Sequence, residues 1–260
     1  MNKYDANERL TEEEYRKKYL QGEYYEQTKF ENRTIDNFLT DQELEIFWEA
    51  SQCGKTHDKK DTSMKPLAEL LYGQDPSTHT TANYYIFGDF YDSPKWNHLV
   101  EIIQPKLEAT FGDNIIASHI HVLDSHFPYG LHNDAEQPNM KLAPDPAWTL
   151  IIPFDTCDSR TYVFNERSGF KDPMQFAKHY NVESHDLQTT GLTQEQFDKD
   201  FAPITDLTNL GYLTTDTQFE WKRGSCFAAD RFKYHCSSNF LNAGIKNKRA
   251  IILWTSINAD

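Results

Sequence analysis

His132 and Asp134 stand two residues apart in the stretch FPYGLHNDAE, directly after Tyr129 and Gly130. An imidazole and a carboxylate at that spacing face the same side of an extended backbone and can converge on one cation, provided residue 133 turns away. The pair alone is a weak signal. With 10 His and 40 acidic residues among 260, about one or two such pairs arise by chance, and a histidine beside an acid in a turn looks the same. What gives it weight is His235, in GSCFAADRFKYHCSSNF, where Gly224, an apolar run with Phe227, and Asp230 lead to a histidine in a strand–bend–strand pattern. Two histidines and one carboxylate occupy one face of a metal ion and leave other positions open, an arrangement suited to non-haem Fe(II).

Arg249 opens RAIILWTS, a strand apolar enough to be buried. A guanidinium in such a place demands an anion, because an unpaired interior charge is very costly. A dicarboxylate that chelates iron through a 2-oxoacid end and meets the guanidinium fork at the other would satisfy both requirements. Lys246 and Lys248 are the alternative cations at the start of the same strand. A rival metal cluster is His119 and His121 in ASHIHVLDSH, an H-x-H that also faces one side of a strand and would suit a cupin-type site. No glutamate follows it at the place a cupin requires, so these two histidines are read as lining the barrel wall near substrate.

The elements that must position these groups fall into two halves. Charged residues up to about 32 predict an N-terminal helical extension, with a capping box at Thr11 and Glu14. TIDNFLTDQELEIFWEASQC predicts a short extended lead and a helix capped by Thr40 and Glu43. Residues 53 to 82 read as loop with one short helix at PLAELLYG, and SPKWNHLVEIIQPKLEATFG as another helix. From residue 115 the pattern turns to β-rich runs: IIASHIHVL, WTLIIPFD, RTYVFNER, QFEWKRG, SCFAAD and RAIILWTS. These predict a β-sandwich or barrel. A polar, helical stretch at about 168 to 215 interrupts the series and is read as an insertion, placed as a lid at a barrel mouth.

Composition narrows the classes. A hydrophobic content of 38% with 14% aromatics fills a sizeable core, so the chain is predicted to fold rather than remain disordered. The first residues lack the apolar core of a signal peptide and no run approaches the roughly 20 apolar residues a bilayer span needs, which predicts a cytoplasmic protein without a membrane partner. The cysteines Cys53, Cys157, Cys226 and Cys236 are scattered without a C-x-x-C pair and read as reduced thiols. A net charge of −14 opposes nucleic-acid binding and favours a protein or small-molecule substrate, neutral or basic, while oligomeric state leaves no mark on the sequence.

The series IDNFL, YGLHNDAE, GSCFAADRFKYHCSS and KRAIILWTS resembles the Fe(II)/2-oxoglutarate-dependent dioxygenases, especially their prolyl-hydroxylase-like branch with viral and bacterial members. The resemblance implies an α+β fold with a mostly β core, a double-stranded β-helix (a jelly-roll or cupin-like barrel) supported by N-terminal helices, over residues 33 to 260. It implies that His132, Asp134 and His235 are the catalytic metal face, that Arg249 holds the distal carboxylate of 2-oxoglutarate, and that Tyr129 lines the cosubstrate pocket. The implied activity is hydroxylation of an organic substrate, peptidyl proline or a small molecule, with release of succinate and CO2; the cofactors are Fe(II) and 2-oxoglutarate, with ascorbate as an accessory reductant. The other readings are a cupin-like metal protein and a non-catalytic barrel acting as a binding module.

Overall fold

The computed structural model describes residues 31–59, 82–134, 148–167, 173–184, 186–205 and 207–257. The N-terminal helix expected up to about residue 32 and the PLAELLYG helix lie outside them. Two antiparallel sheets face each other. The larger contains β1 (Arg33–Ile35), β2 (Lys55–Lys59), β3 (Ala82–Ile86), β4 (Ile115–Ser125), β5 (Trp148–Pro153), β8 (Cys226–Asp230) and β10 (Lys248–Ile257), in the order β1-β8-β5-β10-β4-β3-β2. The smaller contains β6 (Cys157–Arg167), β7 (Thr215–Trp221) and β9 (Lys233–Ser237), in the order β7-β6-β9. β2 corrects the reading of residues 53 to 82 as loop. KTHDK has no apolar alternation to announce a strand, and it forms one at the sheet edge through its ladder with β3.

Helix α1 (Asp41–Ser51) starts at the predicted capping box: Glu43 donates its backbone N–H to the Thr40 hydroxyl and its carboxylate accepts from the Thr40 N–H at 2.7 Å. A 3-10 turn (Pro94–Trp96) leads into α2 (Asn97–Phe111), which tolerates Pro105. Leu44 and Phe47 of α1 and Leu99, Ile103 and Leu107 of α2 bury against Ile120 and Val122 of β4, Leu150 and Ile152 of β5, and Ile251 and Leu253 of β10. With a side-chain period of two, the alternate residues of these strands must face the other way, toward the smaller sheet. The helices therefore occupy one face of the large sheet and leave its inner face to the site.

Between β6 and β7 come α3 (Pro173–Tyr180), α4 (Gln194–Asp200) and α5 (Leu207–Leu210). Phe176, Phe201, Leu210 and Leu213 of this region cluster with Tyr162, Phe164 and Tyr234 on the outer face of the small sheet. These described residues brace that sheet from behind, and none of them lines the internal cavity. The apolar positions of DPMQFAKHY are satisfied by the sheet face. No helix among the described residues is long and apolar enough to cross a membrane, and all four cysteines are free.

The turn from β7 to β8 joins the sheets to α1. Gly224 has φ +70, its carbonyl accepts from the Leu39 N–H at 3.0 Å, and a Cβ there would lie 2.4 Å from the Leu39 oxygen. Gly224→Ala is therefore expected to destabilise the fold by at least about 2 kcal/mol, combining left-handed strain with a backbone clash. Chemical denaturation of the variant against wild type checks this.

Candidate metal centre

The segment carrying His132 and Asp134 follows β4 but is not itself a regular strand, which corrects the simplest extended-strand picture. It is held along the free edge of β9. The Ser237 N–H donates to the Tyr129 carbonyl at 3.0 Å; the His132 N–H donates to the His235 carbonyl at 3.0 Å; the His235 N–H returns to the His132 carbonyl at 2.7 Å. The Asp134 N–H donates to the Arg231 carbonyl at 3.1 Å, and Arg231 Nε donates back to the Asp134 carbonyl at 2.9 Å. A buried sheet edge needs such partners, and these place His132 opposite His235.

One potential ligand atom from each of His132, Asp134 and His235 falls within 4.8 Å of the others. His132 Nε2 is 3.8 Å from Asp134 Oδ1, and His235 Nε2 is 3.5 Å from Asp134 Oδ2. In both imidazoles the other nitrogen is engaged by a carbonyl oxygen: His132 Nδ1 with Gly130 at 2.6 Å and His235 Nδ1 with Lys233 at 3.1 Å. A carbonyl only accepts, so Nδ1 carries the proton and Nε2 presents its lone pair to the site, as a ligating histidine must. Burial alone would raise the Asp134 carboxyl. The charges that His235 and His132 can carry, the Thr149 hydroxyl donating at 2.6 Å, and Arg231 outweigh it and hold the group well below the usual carboxylate range. Two nitrogen lone pairs and one carboxylate, aimed together from a buried edge, fit a divalent metal that keeps open positions.

The three groups line one cavity of about 540 Å³ between the sheets, with Tyr84, Tyr129, His119, His121, Trp254 and Lys248 also on its wall. Tyr129 is on that wall, its ring 4.8 Å from that of His132 and its hydroxyl in contact with that of Tyr84. Arg249 is not. It lies on the other face of β10, where a carboxylate is already present: its Nε and Nη2 meet Asp155 at 3.1 to 3.2 Å, and its guanidinium lies over Trp48 at 4.8 Å. The expectation that Arg249 meets a ligand anion is thus corrected, since a chain carboxylate fills that role and the side chain points away from the cavity. The neighbouring position faces inward. Lys248 is 3% exposed, its Nζ donates to Ser159 Oγ at 2.9 Å and Ser237 Oγ at 2.8 Å, and it lies over the Trp221 ring at 3.7 Å. It has no carboxylate partner among the described residues, and burial depresses its ammonium to about 7. Lys248, the alternative to Arg249 at the start of this strand, is the lysine that faces the cavity. Thr149, the hydroxyl on Asp134, was missed because a threonine in a β-strand carries no distinctive signal.

No protein-family model matches this sequence, and no curated protein matches it. Solved structures do. The non-haem alpha-ketoglutarate-dependent epimerase SnoN from nogalamycin biosynthesis has a TM-score of 0.52 at 10% identity, covering 87% of this chain and 78% of SnoN. HygX from Streptomyces hygroscopicus, with nickel and 2-oxoglutarate bound, has a TM-score of 0.49 at 12% identity, covering 96% and 88%. The likeness to SnoN is one of overall fold.

Removing the Thr149 hydroxyl should weaken metal binding by about tenfold or more without unfolding the chain, because it orients the carboxylate and stabilises its charge. His132→Ala and Asp134→Ala should abolish the site. Calorimetric titration of Thr149→Val, the two alanine variants and wild type with Co(II) checks both expectations.

Proposed function

We propose that this chain is an Fe(II)- and 2-oxoglutarate-dependent oxygenase with the double-stranded β-helix architecture, hydroxylating an organic substrate. The observation that carries this reading is the pairing of two features in one cavity: three ligand atoms converging within 4.8 Å, and the buried Lys248 ammonium with hydroxyl and aromatic neighbours but no carboxylate. A buried charge of that kind calls for an anionic ligand. In this reading His132 and His235 present Nε2 and Asp134 its carboxylate to Fe(II), while Lys248, with Ser159 and Ser237 to align it, binds the distal carboxylate of 2-oxoglutarate. When bound, iron and 2-oxoglutarate supply the oxidising power from O2, with release of succinate and CO2. The protein's own groups hold the ligands in one geometry, neutralise charge in a cavity of low dielectric, and keep bulk water out. Fold kinship with SnoN supports the reading. Because that enzyme is described as an epimerase, the fate of the substrate carbon is tested separately from cosubstrate use.

The test is an anaerobic titration with Fe(II) and then 2-oxoglutarate, following the visible charge-transfer band of the chelate. Wild type should show the band; Asp134→Ala should not. Lys248→Met should lose 2-oxoglutarate affinity by about a hundredfold while still binding metal, since it removes a charge-assisted contact made in a dry site. Arg249→Ala should keep the band, as its partner is Asp155. Metal binding with no band in wild type would overturn the proposal.

The same lysine sets a pH dependence. The dicarboxylate requires the ammonium form, and the free lysine loses its proton above about 7. As pH rises beyond that value, binding must take up a proton, so affinity should fall by up to about tenfold per pH unit. Calorimetry in buffers of different ionisation enthalpy should register the proton uptake, and Lys248→Met should show neither effect.

A further inference from the structure

Strand register orders the inner face of the large sheet into rows. Ser125 lies opposite Lys248, Leu123 opposite Tyr84, and His121 opposite both Ile86 and Ile252. Cross-strand partners share a face of the sheet, and the cavity wall includes every one of these residues. Polar groups gather at two poles of that wall. Thr149, on β5, meets Asp134 at the metal ligands, while Ser125 and Ser237 flank Lys248 at the other pole. A third part of the wall lies to the side. β3 is separated from β5 by β10 and β4, a lateral distance of roughly 14 Å at ordinary strand spacing.

This side wall is built from Tyr84 and Ile86 of β3, Leu123 of β4, and Tyr129 from the segment that pairs with β9. Ile120 and Val122, which face the helices from β4, are 1% and 0% exposed, whereas Tyr84, Ile86, Leu123 and Tyr129 are only half-buried. Alternate residues of one strand thus differ in how they are covered. The outer set is sealed by the helices, and the inner set leaves apolar surface open to the cavity. The Tyr84 and Tyr129 hydroxyls are in contact with each other. His121 adds a ring 5.3 Å from that of Tyr84, and burial depresses it to about 3, so the ring is uncharged.

We propose that this side of the cavity is the substrate subsite, and that it takes an uncharged small molecule through a hydrocarbon ring, aromatic or alicyclic. The inference rests on the cavity being the active site of the proposed oxygenase, with metal and cosubstrate at the two poles. Asp134 and Lys248 are the only acid and the only lysine or arginine among the described residues of the wall, and both belong to those poles. Arg231, the cation beside His119, is 2% exposed, gives its Nε–H to the Asp134 carbonyl and is not part of the wall. A charged group against Ile86 and Leu123 would lose its water without gaining a counter-ion. A peptide would bring amide groups that aliphatic side chains leave unpaired. A ring covers the open apolar surface and packs against the aromatic faces of Tyr84, Tyr129 and His121. At about 540 Å³, the cavity has the size of a site for a small organic ligand.

The test uses the full chain with isotope-labelled isoleucine and leucine methyl groups, loaded with Co(II) and 2-oxoglutarate. The probes are 2-naphthol, 2-naphthoate, 2-naphthylmethylammonium, glucose and a capped Ala-Pro-Ala peptide. 2-Naphthol should bind at least about tenfold tighter than the other four. It should shift the methyl resonances of Ile86 and Leu123 and leave those of Ile103 and Ile120, in the core beneath the helices, in place. Leu123→Asn should weaken 2-naphthol by about tenfold, because it sets an unpaired amide against the ring. Ile86→Thr, a smaller change, should weaken it in the same direction and decides the matter if Leu123→Asn does not fold. The inference is overturned if a charged probe, the sugar or the peptide binds as tightly, if no probe binds, if the shifts fall on other methyl groups, or if both folded variants keep full affinity. The two readings fail separately. A chelate band without a preference for 2-naphthol removes the apolar subsite and leaves the oxygenase, while that preference without a band removes the oxygenase and leaves the subsite.

Discussion

The reciprocal backbone hydrogen bonds between His132 and His235 are what the rest of the site depends on. β9 is an outer strand of a three-stranded sheet, and its free edge must be paired once it is buried. The segment from Tyr129 to Asp134 supplies that pairing, and in doing so sets two imidazoles opposite each other. The carbonyls of Gly130 and Lys233 then choose the tautomer, leaving Nε2 open in both rings. The same segment carries Asp134, so one stretch of edge pairing positions all three groups. A ligand set built this way is largely pre-organised, and little ordering remains to be done when a cation arrives.

Charge in the cavity is handled unequally at its two poles. Asp134 is surrounded by groups that favour its ionised form: imidazoles, a hydroxyl and the nearby Arg231. Lys248 has two serine hydroxyls and the faces of Trp221 and Phe240, which soften the loss of water but do not neutralise the ammonium. A site with a compensated anion at one pole and an uncompensated cation at the other is matched by a ligand that brings its own negative charge. Arg249, one residue away, shows the opposite solution, because its carboxylate is supplied by the chain. The two residues differ in role because successive side chains on a strand leave opposite faces of the sheet.

The scaffold explains why these positions hold. α1 and α2 cover the outer face of the large sheet, and α3 to α5 cover the outer face of the small one. Each sheet is thereby backed by a packed core, and the inner faces are free to carry polar groups. Thr149, His119, His121 and Lys248 all project from strands held on both sides by neighbours, which gives side chains more definite positions than a loop would.

Much of this was legible in the chain itself. The capping box at Thr40 and the β-rich runs after residue 115 are local signals, governed by backbone conformation and short-range hydrogen bonds, and they mark a helix and strands that the structure contains. The types and order of His132, Asp134 and His235 likewise pointed to a metal before any geometry was known. What the sequence could not decide was facing. In KRAIILWTS both faces of the strand are buried, one against helices and one against the cavity, so its apolar residues run without alternation and do not reveal whether position 248 or 249 looks inward. The edge strand β2, the placement of the helices behind the small sheet, and the Asp155 that pairs with Arg249 were hidden for the same reason. Each depends on which distant segment lies alongside. Residue types and local propensities determine the elements and the chemistry available, whereas partners far apart in the chain meet only when the sheets close, and tertiary structure alone decides which charges are paired and which are left to a ligand.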